Sequence, residues 1–225
     1  EKSGKTTIKL SDQIDAVAIE NKKKFATKVD KLNTSYKKLS VGEQALVTSY
    51  SRLGYLTPFA EATGSFYSLK TKSPNYKTDV TTLLTTINGL NPNVANTEDQ
   101  TALQKLRDEL LASVQKLESQ LTNADGVITL IDTANGTFTN NNDQLLAIQA
   151  ARTAYNDLPK EEQKLVTNLK TLTALEKGIK QSLAAIKKIE AVNPENVKKF
   201  PSAAKSAMSA FEKLTKTQKS YLSDD

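Results

Sequence analysis

Apolar residues recur at intervals of three and four along most of this 225-residue chain, with polar residues between them. This spacing places apolar side chains on one face of an α-helix. The longest run has an average step of about 3.5 residues, the period of a left-handed helical bundle. Gly126 interrupts the run without ending it, so the pattern predicts one continuous helix over residues 97–133. Its apolar positions are Leu103, Leu106, Leu110, Val114, Leu117, Leu121, Ala124, Ile128 and Ile131.

A second run with the same spacing predicts another long helix, which ends before Asn193 and Pro194. A helix over residues 97–133 would be ~50 Å long, which is more than one small bundle requires. We therefore expect the last helix of one bundle to continue as the first helix of the next. The apolar positions of the second run are Leu172, Leu175, Ile179, Leu183, Ile186 and Ile189.

Three segments share a local pattern: an aromatic residue, a Leu three positions later, and an apolar pair seven and eight positions after that Leu. The recurring aromatic is interpreted as a core residue, because an aromatic on the apolar stripe of a repeat usually packs inward. In the second segment the four apolar positions are expected to be buried together. The segments are Tyr36, Leu39, Leu46 and Val47; Tyr155, Leu158, Leu165 and Val166; and Phe211, Leu214, Tyr221 and Leu222.

Each segment reads as a helix, a break, and a short helix that carries the apolar pair inward. The helices are predicted over residues 25–39, 143–158 and 195–214, the last with Pro194 in its first turn. Ser40 with Glu43 and Thr215 with Gln218 have the spacing of capping boxes. In the remaining copy, Pro159 takes the cap position and Glu162 follows three residues later.

The interval between the first two segments is about twice that between the second and third, so a diverged copy is expected near residues 87–90. A loop over residues 91–96 and a capping box from Thr97 to Gln100 should follow it. Four repeats result: 1–62 with a short N-terminal lead-in, 63–123 diverged, 124–180, and a shortened 181–225. The predicted fold is all-α, an elongated array of three-helix-bundle repeats joined by long continuous helices, like a spectrin string. Helix should exceed half of the chain, with no sheet beyond the first ten residues.

Composition removes much of the chemistry available to enzymes. The chain has no Cys, His or Trp, so it lacks an imidazole base, a thiolate nucleophile and the common zinc ligands. Ser-x-x-Lys occurs at Ser35/Lys38, Ser113/Lys116 and Ser202/Lys205, but chance alone gives roughly two such matches and the companion motifs of penicillin-recognising enzymes are absent. We therefore expect no enzyme activity, no catalytic residue, no cofactor and no metal site.

Three other polar segments have simpler structural interpretations. Residues 2–7 resemble the end of a phosphate loop without its first glycine, and they are read as a loop or as the tail of a strand. The acid pairs Asp108-Glu109 and Glu161-Glu162 are read as solvated helix faces beside Lys or Arg. Residues 140–143 lack the spaced carboxylates of a calcium loop and are read as a helix N-cap.

Charge is unevenly distributed along the chain, whose formal net charge is +6. Residues 1–80 carry 14 basic and 8 acidic groups, residues 81–162 carry 5 and 11, and residues 163–225 carry 12 and 6. The three sections therefore have net charges of +6, −6 and +6. Sections of opposite sign predict weak, salt-sensitive self-association between chains.

The cations are almost all Lys, because Arg52, Arg107 and Arg152 are the only arginines. Sequence-specific nucleic-acid binding favours Arg and aromatic platforms, so no nucleic-acid partner is expected. The lysine clusters are read first as solvated helix faces and alternatively as contacts with an anionic cell-wall polymer. The candidate polymer-binding residues are Lys22, Lys23, Lys24, Lys37, Lys38, Lys187, Lys188, Lys198 and Lys199.

The run Ala151-Arg152-Thr153-Ala154-Tyr155-Asn156-Asp157-Leu158-Pro159-Lys160-Glu161-Glu162-Gln163-Lys164-Leu165-Val166-Thr167-Asn168 resembles a helical repeat of Gram-positive surface proteins, including S-layer proteins. The resemblance is good there, fair over residues 25–53 and 195–223, and poor between 63 and 100. It implies an extracellular, non-enzymatic protein of the cell wall or S-layer.

Two classes of function remain open on that resemblance. The first is a structural spacer and lattice-contact section, and the second is a binding module for anionic wall polymer or an adhesin stalk. No apolar run approaches the ~20 residues that span a bilayer, so no membrane insertion is expected. Because the chain starts at Glu1, it is expected to be an internal section of a longer protein.

Overall fold

The computed structural model describes residues 2–138 and 141–220, and these residues fold into α-helices joined by turns, with no strand among them. The predicted all-α class is confirmed. The helices are α1 (Lys2–Asp15), α2 (Lys22–Lys37), α3 (Val41–Gln44), α4 (Tyr50–Ser68), α5 (Tyr76–Asn88), α6 (Thr97–Ala134), α7 (Asn141–Asp157), α8 (Lys160–Gln163), α9 (Leu169–Glu190), α10 (Phe200–Glu212) and α11 (Lys216–Ser220).

The chain forms two compact units, Glu1–Ser119 and Gln120–Asp225. The long helix α6 runs unbroken through Gly126, as its apolar spacing predicts, and supplies residues to each unit. The second long helix, α9, also forms as predicted. The division into four repeats and the spectrin-like string stay predictions.

Unit 1 is built around the pair α2 and α4. Helix α1 packs against both of them and against α3, while α5 packs against α4. Its largest fully buried side chains lie on one face of each of these helices and of the first half of α6, at intervals of three, four or seven residues. They are Ile14, Phe25, Val29, Leu53, Leu56, Phe59, Val80, Ile87, Leu103 and Leu110.

Unit 2 has a core between the second half of α6, α7 and α9. Helices α10 and α11 pack on α9. The buried members of this core are Ala124, Val127, Ile131, Ala134, Ile148, Ala151, Val166, Leu172 and Ile179.

The same hydrogen bonds close the turn after α2 and the turn after α7. The side-chain amide of Gln44 donates to the carbonyls of Tyr36 and Leu39 at 3.3 and 3.1 Å. The amide of Gln163 donates to the carbonyls of Tyr155 and Leu158 at 3.2 and 3.0 Å. Each glutamine therefore binds one carbonyl in the last turn of the helix and one just after the helix, and so fixes the chain reversal at the helix end.

The residue before each following long helix also makes an equivalent contact. The Ser49 hydroxyl donates to the Asp15 carboxylate on α1 at 2.7 Å. The Asn168 amide donates to the Asp132 carboxylate on α6 at 2.7 Å. Both units therefore attach the start of their long helix to an aspartate on a neighbouring helix.

The predicted cap positions are confirmed at three turns and wrong at the start of α6. Pro159 occupies the N-cap position of α8. Ser40 with Glu43 and Thr215 with Gln218 form reciprocal capping boxes. Helix α6 is capped by Asn96 rather than Thr97, because the Asn96 carboxamide accepts from the Asp99 backbone at 2.9 Å. The loop over residues 91–96 is confirmed.

The last predicted helix starts later than expected, at Phe200 with Pro201 in its first turn. The side chain of Asn193 accepts from the backbone of Glu195, and that of Asn196 accepts from the backbone of Lys199. These local turns compete with helix after Pro194, so the proline there does not start one.

The N-terminal residues form helix α1, so the prediction of a loop or strand tail over residues 2–7 is wrong. Thr7, Leu10 and Ile14 are buried at helical spacing, whereas Ile8 is exposed. Packing of this stripe on α2 and α4 outweighs the weak helix propensity of the Thr-Thr-Ile run. The N-cap prediction at residues 140–143 involves Asn140, which lies outside the described residues.

Burial of the repeated apolar positions is only partly as expected. Tyr155, Leu158 and Leu165 pack on the unit 2 core but are half-buried, and of the four only Val166 is buried. In the first segment Val47 is buried while Leu46 is exposed. One residue of the apolar pair therefore points inward, because the pair occupies adjacent positions in a tight turn. Tyr221 and Leu222 lie outside the described residues.

The recurring aromatic is not a fully buried core residue in any copy. The ring of Tyr36 is half-buried and stacks on Tyr50 with 4.5 Å between centroids. Phe211 is exposed, with the Lys219 ammonium 4.8 Å from its ring centroid. The ring of Tyr155 is half-buried, with the Arg152 guanidinium 5.4 Å from its centroid.

We predict that Val47→Ala destabilises the protein more than Leu46→Ala, although Leu loses more atoms. Val47 is 4% exposed and Leu46 is 57% exposed, so only the valine change leaves a cavity. The expected losses in free energy of unfolding are about 1–3 kcal/mol for Val47→Ala and within about 0.5 kcal/mol for Leu46→Ala. Urea unfolding monitored by circular dichroism measures both, and the reverse order would contradict the assigned register.

Candidate functional site: a buried polar cluster and a recurrent groove

The buried carboxylate of Asp99 and the part-buried guanidinium of Arg52 meet at one point in unit 1. The Arg52 guanidinium on α4 donates from Nε and Nη2 to the two carboxylate oxygens of Asp99, each at 2.7 Å. The Tyr55 hydroxyl donates to Asp99 Oδ2 at 2.5 Å. Asp99, in the first turn of α6, is buried. The carboxylate is thus held by a bidentate arginine and a phenol.

The same guanidinium also binds the end of α1. It donates from Nη1 to the carbonyl of Ile14 and from Nη2 to the carbonyl of Val17 at 3.1 Å. These carbonyls lie where α1 ends, so the arginine supplies the donors that the helix terminus lacks. The cluster therefore joins α1, α4 and α6 through one side chain.

The electrostatics of this cluster favour a structural role. Hydrogen bonding from Arg52 lowers the pKa of the Asp99 carboxyl below its ordinary value. Burial, followed by the hydrogen bond to Asp99, raises the pKa of the Tyr55 hydroxyl to about 12. Each group is fixed in one protonation state at neutral pH, whereas a general acid or base needs a pKa near the working pH.

The Ser-x-x-Lys serines have backbone partners instead of lysine bases. The hydroxyls of Ser35, Ser113 and Ser202 donate to the carbonyls of Lys31, Glu109 and Lys199 at 2.9, 2.7 and 2.9 Å. Such bonds to the preceding turn are the usual behaviour of serine within a helix. Each hydroxyl therefore donates to a backbone carbonyl of the preceding turn and is not oriented toward the lysine of its Ser-x-x-Lys motif.

The two acid pairs differ from the prediction in one respect. Glu109 is half-buried and binds the Lys22 ammonium at 2.5 Å, and this hydrogen bond lowers the pKa of the Glu109 carboxyl. Glu162 is buried, so its assignment to a solvated face is wrong. Its carboxylate accepts from the Asn123 amide at 3.1 Å, which attaches α8 to α6 within unit 2. Over residues 2–138 and 141–220, no three acidic side chains are grouped to hold a metal ion.

A surface groove lies between α2 and α4 in unit 1, and another lies between α7 and α9 in unit 2. Their volumes are about 760 and 750 Å³. Each residue that lines the groove in unit 2 stands 119 positions after a residue that lines the groove in unit 1. Arg152, for example, corresponds to Asn33. The α2–α4 groove and the α7–α9 groove are therefore the same feature of one structural plan.

The two grooves differ in chemistry at these matched positions. In the α2–α4 groove, the Asn33 amide donates to the Thr57 hydroxyl at 2.9 Å. In the α7–α9 groove, Arg152 donates from Nε and Nη2 to the two oxygens of Glu176, each at 2.6 Å. The hydrogen bond to Glu176 raises the pKa of the Arg152 guanidinium.

The two grooves also differ in the charged residues that line them. Lys180 and Lys187 line the α7–α9 groove beside Leu145 and Ile179. Glu61 stands in the α2–α4 groove at the position that matches Lys180. The α7–α9 groove thus combines an apolar wall with two exposed ammonium groups, which suits an anionic chain more than the α2–α4 groove does.

The candidate lysines of unit 1 lie at the two ends of one helix, and those of unit 2 lie at the end of α9 and before α10. Lys22, Lys23 and Lys24 lie in the first turn of α2, while Lys37 and Lys38 lie at its end, about 20 Å away along the helix. Lys187 and Lys188 lie in the last turn of α9, and Lys198 and Lys199 precede α10. Of these nine, Lys37 lines the α2–α4 groove and Lys187 lines the α7–α9 groove. Polymer binding by this set stays a prediction.

Sequence reasoning missed both the polar cluster and the groove. Arg52 and Asp99 are 47 positions apart in the sequence. The only local signal is the spacing of Asn96 and Asp99, which is typical of a capped helix start. The groove had a signal in the polar residues at matched positions of α2 and α7, which the apolar pattern does not use.

None of the helices in the described part of the chain combines the length and the apolar character that a bilayer-spanning segment requires. No protein family, curated protein or solved structure that was compared matches this chain.

We predict that Asp99→Ala destabilises unit 1 by about 3–5 kcal/mol at pH 7, because it leaves the Arg52 charge buried without its partner. The control Glu161→Ala removes an exposed pair with Lys164, whose atoms are 3.0 Å apart, and should change stability by no more than about 0.5 kcal/mol. Urea unfolding of both variants measures the difference.

The pH dependence of the Asp99 variant follows from its lowered carboxyl pKa. The stabilisation is present above the ordinary carboxyl pKa of about 3.9 and is lost as pH falls through the lower value of the folded protein. The gap between wild type and Asp99→Ala should therefore narrow below about pH 4. A gap that stays constant down to pH 2 would contradict the ion-pair interpretation.

Proposed function

We propose that this chain is a structural, non-enzymatic section of a bacterial surface-layer protein, outside the cell in the cell wall or S-layer. In this proposal it acts as a rigid helical spacer and as a lattice-contact region. The observation that carries the proposal is the recurrence of one plan: the same turn, the same glutamine contacts and the same groove occur in both units. Repetition of a unit without a converging set of reactive groups is typical of proteins that hold distances.

The resemblance to Gram-positive surface repeats coincides with the parts that recur. Residues 151–168 contain the end of α7, all of α8 and the residue that caps the start of α9. Within them, Gln163 makes the contacts that Gln44 makes in unit 1. The residues that carry the resemblance are thus those that form the chain reversal, which supports a family of structural repeats.

The inner polar groups support a non-enzymatic role. Arg52, Tyr55 and Asp99 bind one another and the end of α1. Glu162 binds Asn123 within the bundle. Each interaction positions helices, and none presents a free reactive atom to a cavity.

A wall-polymer binding module is the second candidate, and the α7–α9 groove is the observation that favours it. Lys180 and Lys187 provide exposed ammonium groups along an apolar wall on one side of the bundle. An anionic chain of phosphate or carboxylate groups would contact them by salt-sensitive ion pairs. An adhesin stalk remains the variant of this candidate in which the same surface meets a host ligand.

One salt series separates the two candidates. For the structural section, sedimentation velocity should show weak concentration-dependent association at low salt that loosens by ~0.5 M, because lateral contacts between exposed charges are screened. Purified wall fragments that retain their anionic polymer should not pellet the protein at any salt concentration.

Two outcomes would overturn the structural proposal. A protein that is strictly monomeric at low salt and high concentration would contradict the proposed lattice contact. Salt-sensitive pelleting with wall fragments that is abolished by the double variant Lys180→Glu and Lys187→Glu would favour the binding module. The double variant Lys170→Glu and Lys177→Glu, at exposed positions of α9 that do not line the groove, is the matched control for charge alone.

A further inference from the structure

The chain contains the dipeptide Asn-Gly twice, as Asn88-Gly89 and Asn135-Gly136. In such a pair the backbone nitrogen of the glycine can reach the side-chain amide carbon of the asparagine, because glycine has no Cβ and its backbone is the least restricted of any residue. Both asparagines are exposed. Exposure therefore does not distinguish the two pairs, and the backbone around each of them decides which one can react.

The backbone of the first pair is held on both sides. Asn88 is the last residue of α5, and Gly89 is its C-cap. The Gly89 amide donates to two carbonyls of the preceding turn, at 3.2 and 3.1 Å. The pair is flanked by Ile87, which is fully buried, and by Leu90, which is 7% exposed. A rotation within the pair would therefore displace a buried side chain.

An arginine of α6 fixes the same peptide groups. The Arg107 guanidinium donates from Nε to the carbonyl of Ile87 and from Nη2 to the carbonyl of Asn88, each at 3.2 Å. The second carbonyl belongs to the peptide group whose nitrogen would have to attack the Asn88 side chain. Because that rotation breaks these hydrogen bonds, the first pair can react only after local opening.

The second pair is anchored on one side only. Asn135 and Gly136 follow Ala134, which is fully buried and is the last residue of α6. The Gly136 amide donates to the carbonyl of Thr133 at 2.9 Å. Thr137, which comes next, is exposed and belongs to neither a helix nor a strand. The peptide group between Asn135 and Gly136 can therefore rotate without moving a buried residue after it.

We propose that Asn135 is a site of spontaneous deamidation and that Arg107 protects Asn88 from the same reaction. The Gly136 backbone nitrogen loses its proton to hydroxide and attacks the side-chain amide carbon of Asn135. The new bond between nitrogen and carbon forms as the bond to Nδ2 breaks, and Nδ2 leaves as ammonia. Water then opens the cyclic imide at either carbonyl, which gives aspartate or isoaspartate. This inference does not rest on the proposed envelope role.

The product changes both charge and backbone length at the end of α6. Asp132 already places a carboxylate there, which accepts from the Asn168 amide at 2.7 Å. A second carboxylate three positions later is unfavourable at the C-terminus of a helix. Isoaspartate also lengthens the backbone directly after Ala134, whose carbonyl accepts from the Gln144 amide at 3.0 Å. The modification therefore acts on the contacts that attach α6 to its neighbours in unit 2.

Timed incubation of the full 225-residue chain at mildly alkaline pH tests this proposal. Peptide mapping by tandem mass spectrometry measures conversion at each Asn-Gly pair and separates isoaspartate from aspartate. We expect Asn135 to convert at least about tenfold faster than Asn88 in the folded protein, because the first pair must break more hydrogen bonds before it reacts. Both products should form at Asn135, whereas direct hydrolysis of the side-chain amide would give aspartate alone.

Two controls assign the difference to the fold. In urea that unfolds the protein, both pairs should convert at similar rates. Arg107→Ala should accelerate conversion at Asn88 and leave Asn135 unchanged, whereas Lys116→Ala, which removes an exposed cation from the same helix, should alter neither. Circular dichroism checks that both variants keep the helical fold.

Four results would overturn the proposal. They are conversion at Asn88 that equals or exceeds that at Asn135 in the folded protein, aspartate as the sole product at Asn135, a difference between the pairs that persists in urea, and an Arg107→Ala variant in which Asn88 is no faster.

Discussion

A helix that is longer than one bundle has to bury apolar side chains in each bundle that it enters, and this constraint organises the whole chain. In α6, Leu103 to Val114 contribute to the core of unit 1, and Ala124 to Ala134 contribute to the core of unit 2. Leu117 and Leu121, between these stretches, are half-buried. A period of about 3.5 residues sustains one stripe over this length without breaking the helix.

Chain reversals between the long helices depend on polar side chains more than on apolar ones. Gln44 and Gln163 each bind two carbonyls at the end of the preceding helix. Ser49 and Asn168 then bind an aspartate on a neighbouring helix. These contacts are directional, so they fix the register that apolar packing alone leaves adjustable. Arg52 does the same at a third place, where desolvation makes its bonds to Asp99 and to the end of α1 hard to replace.

The sequence was informative wherever local spacing decides structure. Helical periodicity predicted α6 and α9, and cap chemistry predicted the turns at Ser40 and Thr215. It was misleading where tertiary packing overrides local preference, as at α1, whose Thr-Thr-Ile run has weak helix propensity. It was wrong about Glu162, because burial of that carboxylate depends on Asn123, which is distant in sequence. The grooves could not be predicted from the sequence either, because predicting them requires knowing which helices pack against each other.

Hydrogen–deuterium exchange of backbone amides tests most directly the claim that a long helix is stabilised where its apolar stripe is buried against neighbouring helices. Residues 128–134 at the end of α6 and residues 186–190 at the end of α9 are both terminal helical turns, but Ile131 is fully buried and Ile189 is exposed. The account predicts that the α9 amides exchange faster by more than about tenfold, because local opening there exposes little additional apolar surface. Equal protection of the two helix ends would contradict it.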